Sequence, residues 1–173
     1  VFISYSRVDL AFVDRLVLAL EAHDIAVRID RRDLPFAKEW QDELVEMVRW
    51  SDTVLFVISP NSIGSTWCEW ELAQVEKYQK RLGPIVYHPV ENDRVPDKLS
   101  KLQHISFAPP SDFDTSVDKL VGQLGTDIGW LRQHTDLADT ARKWKAANQK
   151  QARDFVLRRA VLRPAQTWLH ARP

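Results

Sequence analysis

A chain of 173 residues with 45% hydrophobic content is long enough for one packed domain and an appendage, and too apolar for disorder. One cysteine, five scattered histidines and no glycine before Gly64 exclude a disulfide framework, a thiolate zinc site, a P-loop and a dinucleotide fingerprint, and no metal is expected. The formal net charge is zero, yet residues 1–129 hold 14 basic and 21 acidic residues (net −7) and residues 130–173 hold 10 basic and 3 acidic (net +7), which marks two modules.

Val1-Phe2-Ile3-Ser4-Tyr5 reads as a buried strand, closed by polar Ser6-Arg7. From Asp9 to about His23 the apolar set Leu10, Val13, Leu16, Val17 and Leu20 recurs at helical spacing. Ile25 to Ile29 is a second strand ending at Asp30, and a charged loop from Asp30 to Phe36 leads into a helix carrying Trp40, Leu44, Met47 and Val48. Thr53 to Ile58 is a continuous apolar strand, as in the middle of a sheet covered on both faces. The turn Ser59 to Gly64 precedes a helix from about Ser65 to Gln79, then a strand at Ile85-Val86-Tyr87. A short strand at His104 to Phe107 and a helix with Phe113, Val117, Leu120, Val121 and Leu124 complete the unit. Five strands alternating with helices predict an α/β fold with an open, five-stranded, parallel, flavodoxin-like sheet, order 2-1-3-4-5, and helices on both faces.

After Gly129 the pattern is helical only. Trp130, Leu137 and Trp144 recur every seven residues; a second stretch carries Phe155, Val156, Ala160 and Leu162; and Pro164 is expected to open a further turn ending at Trp168. Domains of 1–126 and 127–173 are expected, the second a small helical extension. Its basic charge would suit nucleic acid or anionic lipid. The aromatic spacing instead reads as a helical connector lying against its acidic neighbour, with no nucleic-acid partner. No apolar run is long enough to cross a bilayer, and a cytoplasmic location is expected. Opening on Val1 inside a strand-like run, the chain reads as an excerpt of a longer protein.

In an open parallel sheet the ligand crevice lies beyond the carboxyl ends of the strands, where the strand order reverses. Here Ser4, Tyr5, Ser6 and Arg7 would line one side and Ser59 to Ser65 the other, with Arg31, Arg32 and Asp33 overhanging. Trp67 and Glu71, four apart, share a helix face at its mouth. A carboxylate beside an indole suits a cationic, sugar-bearing ligand. A phosphotransfer receiver has the same topology but needs an Asp at the end of strand three; Ile58-Ser59-Pro60 stands there, so that reading fails. Thr66-x-x-Glu69 reads as a capping box, Trp70 as core or interface on another part of the helix, and Cys68 as a small buried hydrophobe. Glu71, as a crevice acid, is expected to carry little stability.

At these residues a family becomes recognisable. Phe2-Ile3-Ser4-Tyr5-Ser6 resembles the opening motif of Toll/interleukin-1 receptor (TIR) domains, and Asp30 to Pro35, followed by Glu39-Trp40, resembles their BB loop. Ser65-Thr66-Trp67-Cys68-Glu69-Trp70-Glu71-Leu72 is similar to the Ser-x-Trp-Cys-x-x-Glu-Leu motif of bacterial and plant members. Phe36-Ala37 departs from the Gly that usually follows the loop proline. From Trp130 the tail is similar to the helical linker that joins bacterial TIR effectors to a downstream sensor module.

The resemblance implies a bacterial-type NAD+ glycohydrolase, a signalling or defence effector that takes NAD+ as substrate, uses no cofactor and acts as a homo-oligomer in which the BB loop of one protomer completes the pocket of the next. Glu71 matches the family's catalytic glutamate. Trp67 would stack on the pyridinium, worth about 0.5–2 kcal/mol. Ser4, Tyr5, Ser6, Arg7 and Arg32 would contact the rest of the dinucleotide. The alternative is a non-catalytic TIR adaptor acting by homotypic association.

Overall fold

The computed structural model describes residues 1–30, 38–147, 154–157 and 159–171. Residues up to Thr126 form one compact unit and those from Asp127 another.

In the first unit β1 (Phe2–Ser4) leads through a 3-10 turn (Arg7–Asp9) into α1 (Leu10–Glu21). There follow β2 (Arg28–Ile29), α2 (Lys38–Trp50), β3 (Thr53–Ile58), α3 (Thr66–Lys77), β4 (Arg81–Val86), α4 (Asp97–Ser100), β5 (Ile105–Ser106) and α5 (Phe113–Gly125). The strands pair in parallel in the order β2-β1-β3-β4-β5, the expected flavodoxin-like sheet.

Strand alternation sorts the core. Ile3, Leu55, Val57 and Ile85 pack with Val13, Leu16 and Leu20 of α1 and Leu120 and Leu124 of α5. Phe2, Val54, Phe56 and Ile58 point the other way, onto Leu44 and Val48 of α2, Cys68, Leu72 and Val75 of α3, and Leu99 of α4. Ser4 has the parity of Phe2, so it too faces the α3 layer.

β1 and β5 are each one residue shorter at either end than expected, and two strands differ by more. β2 is only Arg28–Ile29, against the expected 25–29, because its three-residue partner β1 offers two ladder positions, Phe2 and Ile3. Ile25 to Val27 precede the ladder, and the Val1 amino terminus donates to the Ala26 carbonyl at 2.8 Å. β4 begins at Arg81, four residues before the expected Ile85. Gly83-Pro84 carries turn chemistry, but Arg81 anchors the strand start. Its guanidinium donates to the carbonyls of Leu124 (2.9 Å) and Thr126 (2.7 Å), capping the end of α5, and its Nε donates to Thr53 Oγ1 at 2.8 Å. Pro84 pairs with Phe56 on one side, and β5 begins only opposite Ile85, so no ladder to β5 exists at the proline.

The second unit holds α6 (Ile128–Ala146) and α7 (Arg159–His170). Trp130 and Trp168 stack at 4.7 Å, and each indole donates to the other's carbonyl, at 3.2 and 3.0 Å. Pro164 lies inside α7 instead of opening a separate turn. A proline there removes one backbone donor, while the Trp168 anchor and buried Ala165 retain the helix. No described helix is long and apolar enough to cross a membrane.

Gly83 has a packing reason: a Cβ there would come 3.0 Å from Leu55 Cδ2, in a fully buried side chain. Gly83→Ala is expected to cost about 1–3 kcal/mol by overpacking, read as a lowered thermal midpoint. An unchanged midpoint would show that Leu55 has room to move.

Candidate functional site

The site is assembled from three strand ends by the turn after β1. Ser4 donates its hydroxyl to Glu71 Oε2. Buried Tyr5 donates its hydroxyl to the Asp30 carbonyl at 2.7 Å, at the end of β2. Ser6 lends its carbonyl to the Asp9 amide at 2.8 Å, closing the 3-10 turn. Arg7, 39% exposed, pairs with the buried Asp30 carboxylate at 3.4 Å. Asp9 reaches across to the end of β3, accepting from Ser59 Oγ at 2.5 Å and Asn61 Nδ2 at 2.9 Å.

From the opposite side comes the first turn of α3. Its N-cap is Ser65, whose Oγ accepts from the Cys68 amide at 3.4 Å. This corrects the expected capping box. With Ser65 as cap, the N3 position falls on Cys68, and Glu69 is exposed, a turn-one acid favoured only by the helix dipole. Gly64, at φ 83°, supplies the left-handed residue that lets the β3–α3 turn reach this cap. Cys68 is buried, and burial pushes its thiol up to about 12, so it is an inert packing residue.

Glu71 departs most from expectation. A crevice acid was expected, yet it is only 3% exposed. Burial raises its pKa from 4.5 to about 8; the Ser4 hydrogen bond opposes this, the Asp30 charge adds to it, and a Trp67 hydrogen bond and the Arg7 charge oppose it. Trp67 thus serves Glu71 through its polar edge as well as presenting a ring. That ring is half-buried and stacks on Trp70 at 5.0 Å, so Trp70 lies beside Trp67 and not on another part of the helix. One indole face is already occupied.

The structure therefore gathers Ser4, Arg7, Trp67 and Glu71. Tyr5 belongs to the core beneath them, with its hydroxyl spent on backbone. Arg32, like Arg31 and Asp33, lies outside the described residues. Two residues escaped the sequence reading, Asp9 and Asp30 as carboxylates. The signal for both was the 2-1-3 strand order, which brings the ends of β2 and β3 to either side of the β1 turn. Among the described residues no cluster of potential metal ligands occurs. A cavity of about 540 Å³, bordered by Ile58, Val86, Asn92, Leu99 and His104, lies between the ends of β3 and β4 and the α4 segment and brings no acid together.

A parallel sheet in this order, with a serine on β1 meeting a helix acid beyond β3, makes a flavodoxin-like α/β domain with a buried acid at its switch point. The family model described as the TIR domain matches residues 1–121, and the chain belongs to that family. Toll-like receptor 6 of Homo sapiens is 32% identical over 108 residues, covering 59% of this chain and 14% of the receptor. The TIR domains of the activated Roq1 resistosome superpose with a TM-score of 0.57 at 20% identity, over 71% of this chain and 97% of that one. A metazoan TIR-STING receptor from C. gigas gives a TM-score of 0.52 at 22% identity, over 88% and 51%. The two solved structures share the fold.

The Glu71 environment sets a sign for stability. Its folded value of about 8 exceeds the ordinary 4.5, so the folded state holds the extra proton. Stability from the neutral carboxyl is full below pH 4.5 and is lost as pH rises to about 8. Glu71→Gln, permanently neutral, is expected to become progressively more stable than the parent across that window in urea titrations. Equal pH dependence in the two proteins would mean that Glu71 is not the buried acid responsible.

Proposed function

We propose that this TIR domain is an NAD+ glycohydrolase of the bacterial effector type, cleaving the nicotinamide–ribose bond within a signalling or defence protein activated by self-association. The observation that carries the reading is a buried carboxylate, Glu71, hydrogen-bonded by Ser4 and Trp67 and neighboured by the Arg7 cation at the switch point of the sheet.

The chemistry asks little of the protein. Nicotinamide departs with the bonding electron pair and leaves as a neutral molecule, so no general acid is needed. The ribosyl oxocarbenium left behind needs a negative group, as in glycoside hydrolysis. Water adds to it with loss of a proton to give ADP-ribose, or an internal nucleophile closes a cyclic isomer. At rest near pH 7 the Glu71 carboxyl is largely protonated. A pyridinium cation at the site favours the charged form, so substrate arrival and ionisation reinforce each other. Arg7, paired with Asp30 at 3.4 Å, would meet the pyrophosphate. NAD+ is the substrate, and no further cofactor enters. The helical unit would connect to a sensor module.

A non-catalytic adaptor working by homotypic contact is the second reading. What favours it is the 3% exposure of Glu71, a resting state with its acid covered.

Purified protein incubated with NAD+ is expected to release nicotinamide at a specific activity that rises with protein concentration or forced dimerisation. The rate should climb with pH toward a midpoint at or below the resting value of about 8, and Glu71→Gln should abolish it. Trp67→Phe keeps a ring but removes the indole donor, so its midpoint should move upward, while Trp67→Ala should also weaken NAD+ binding. No nicotinamide at any pH or concentration would leave the adaptor reading in place.

A further inference from the structure

Asp9 occupies the N-cap position of α1, where an aspartate ordinarily accepts an amide of its own helix, yet it makes no side-chain cap bond there. It is 4% exposed, and both oxygens are directed at the β3–α3 turn, to Ser59 Oγ and Asn61 Nδ2. Ser59, fully buried, passes the connection on. Its Oγ accepts from the amides of Asn61 (3.2 Å) and Ser62 (3.1 Å), and its own amide donates to Ser62 Oγ at 3.0 Å. The Ser62 carbonyl accepts from the Ser65 amide at 3.2 Å, and Ser65 caps α3. An unbroken run of hydrogen bonds thus leads from Asp9 to the helix that carries Trp67 and Glu71. Burying a carboxylate away from its local use is unfavourable unless its partners repay it, and here both partners belong to that turn.

We propose that Asp9 is a positioning residue, which through Ser59 and Asn61 fixes where α3 begins and so holds Glu71 against the Ser4 hydroxyl. The inference rests on the glycohydrolase reading only for its kinetic consequence. Its geometric consequence stands without any activity.

Three variants test it: Asp9→Asn, Ser59→Ala, and Asn61→Ala at an exposed position that leaves the fold intact. The Glu71 carboxyl is followed by carbon-13 NMR titration in protein labelled at glutamate, assigned by its absence in Glu71→Gln. With the turn released, water reaches the carboxyl. Its midpoint is expected to fall from about 8 by at least one pH unit in Ser59→Ala and Asn61→Ala, neither of which changes charge. Nicotinamide release should drop about tenfold in kcat with KM within twofold. The pair Asp9→Asn with Ser59→Ala should be no worse than the more damaging single change, because one connection is broken twice. A lowered melting temperature with an unmoved Glu71 titration would overturn the proposal and leave Asp9 a stabiliser of its own loop. A moved titration with no nicotinamide from any protein, the parent included, would uphold the positioning role and remove the glycohydrolase reading.

Discussion

The turn from Ser4 to Asp9 is the constraint from which the site follows. In six residues it bonds to α3 through Ser4, to the end of β2 through Tyr5 and Arg7, and to the end of β3 through Asp9. This is possible because β1 lies between β2 and β3, so the turn leaving β1 has both neighbouring strand ends within reach of a side chain. Were the strands in sequential order, β1 would be an edge strand and its turn would have only the end of β2 beside it. The turn after β1 does the organising, and the acid on α3 is placed by it.

The Ser4–Glu71 contact also explains why an acid is tolerated in an apolar layer. Ser4 points into the same face as Phe2, which packs with Leu44, Val48 and Val75. A carboxylate there loses its water, and its stable resting form is the protonated one, accepting from Ser4. Asp30 lies near enough to oppose the second negative charge, and Arg7, bonded to Asp30, moderates that opposition. Three ionisable groups are thereby coupled: a change that draws Arg7 away from Asp30 alters the field at Glu71 as well.

The fold was legible because its signal is periodic. The run from Thr53 to Ile58 and the helical spacing of Val13, Leu16, Val17 and Leu20 describe buried surfaces, and burial is what those residue types report. Glu71 and Trp67 were legible as a pair from their spacing, and TIR membership from the motifs around them. What escaped depends on contacts distant in sequence. Asp9 bonds to partners 50 and 52 residues away. The start of β4 is set by Arg81 reaching the end of α5, more than 40 residues on. The α3 cap failed for a local reason: Ser65 and Thr66 are both competent N-caps, and a one-residue shift moved the N3 position from Glu69 to Cys68. Pro164 misled because its helix is retained by the Trp130–Trp168 pair, which local propensity does not register.

The two sides of α3 divide the work between them. One side, through Cys68 and Leu72, is seated in an apolar cluster with Phe56, Ile58 and Leu99, a contact that is strong but indifferent to small slides along the helix axis. The axial position must therefore come from directional bonds, and these sit at the helix start, where the Ser65 cap joins the Ser59–Ser62 turn and its Asp9 partner. Glu71, on the second turn, inherits that position. Packing alone would bury the acid without aiming it. The polar knot at the β3–α3 turn is what turns a buried glutamate into one that meets a particular serine, and a reacting carboxylate needs that degree of placement from a supporting shell.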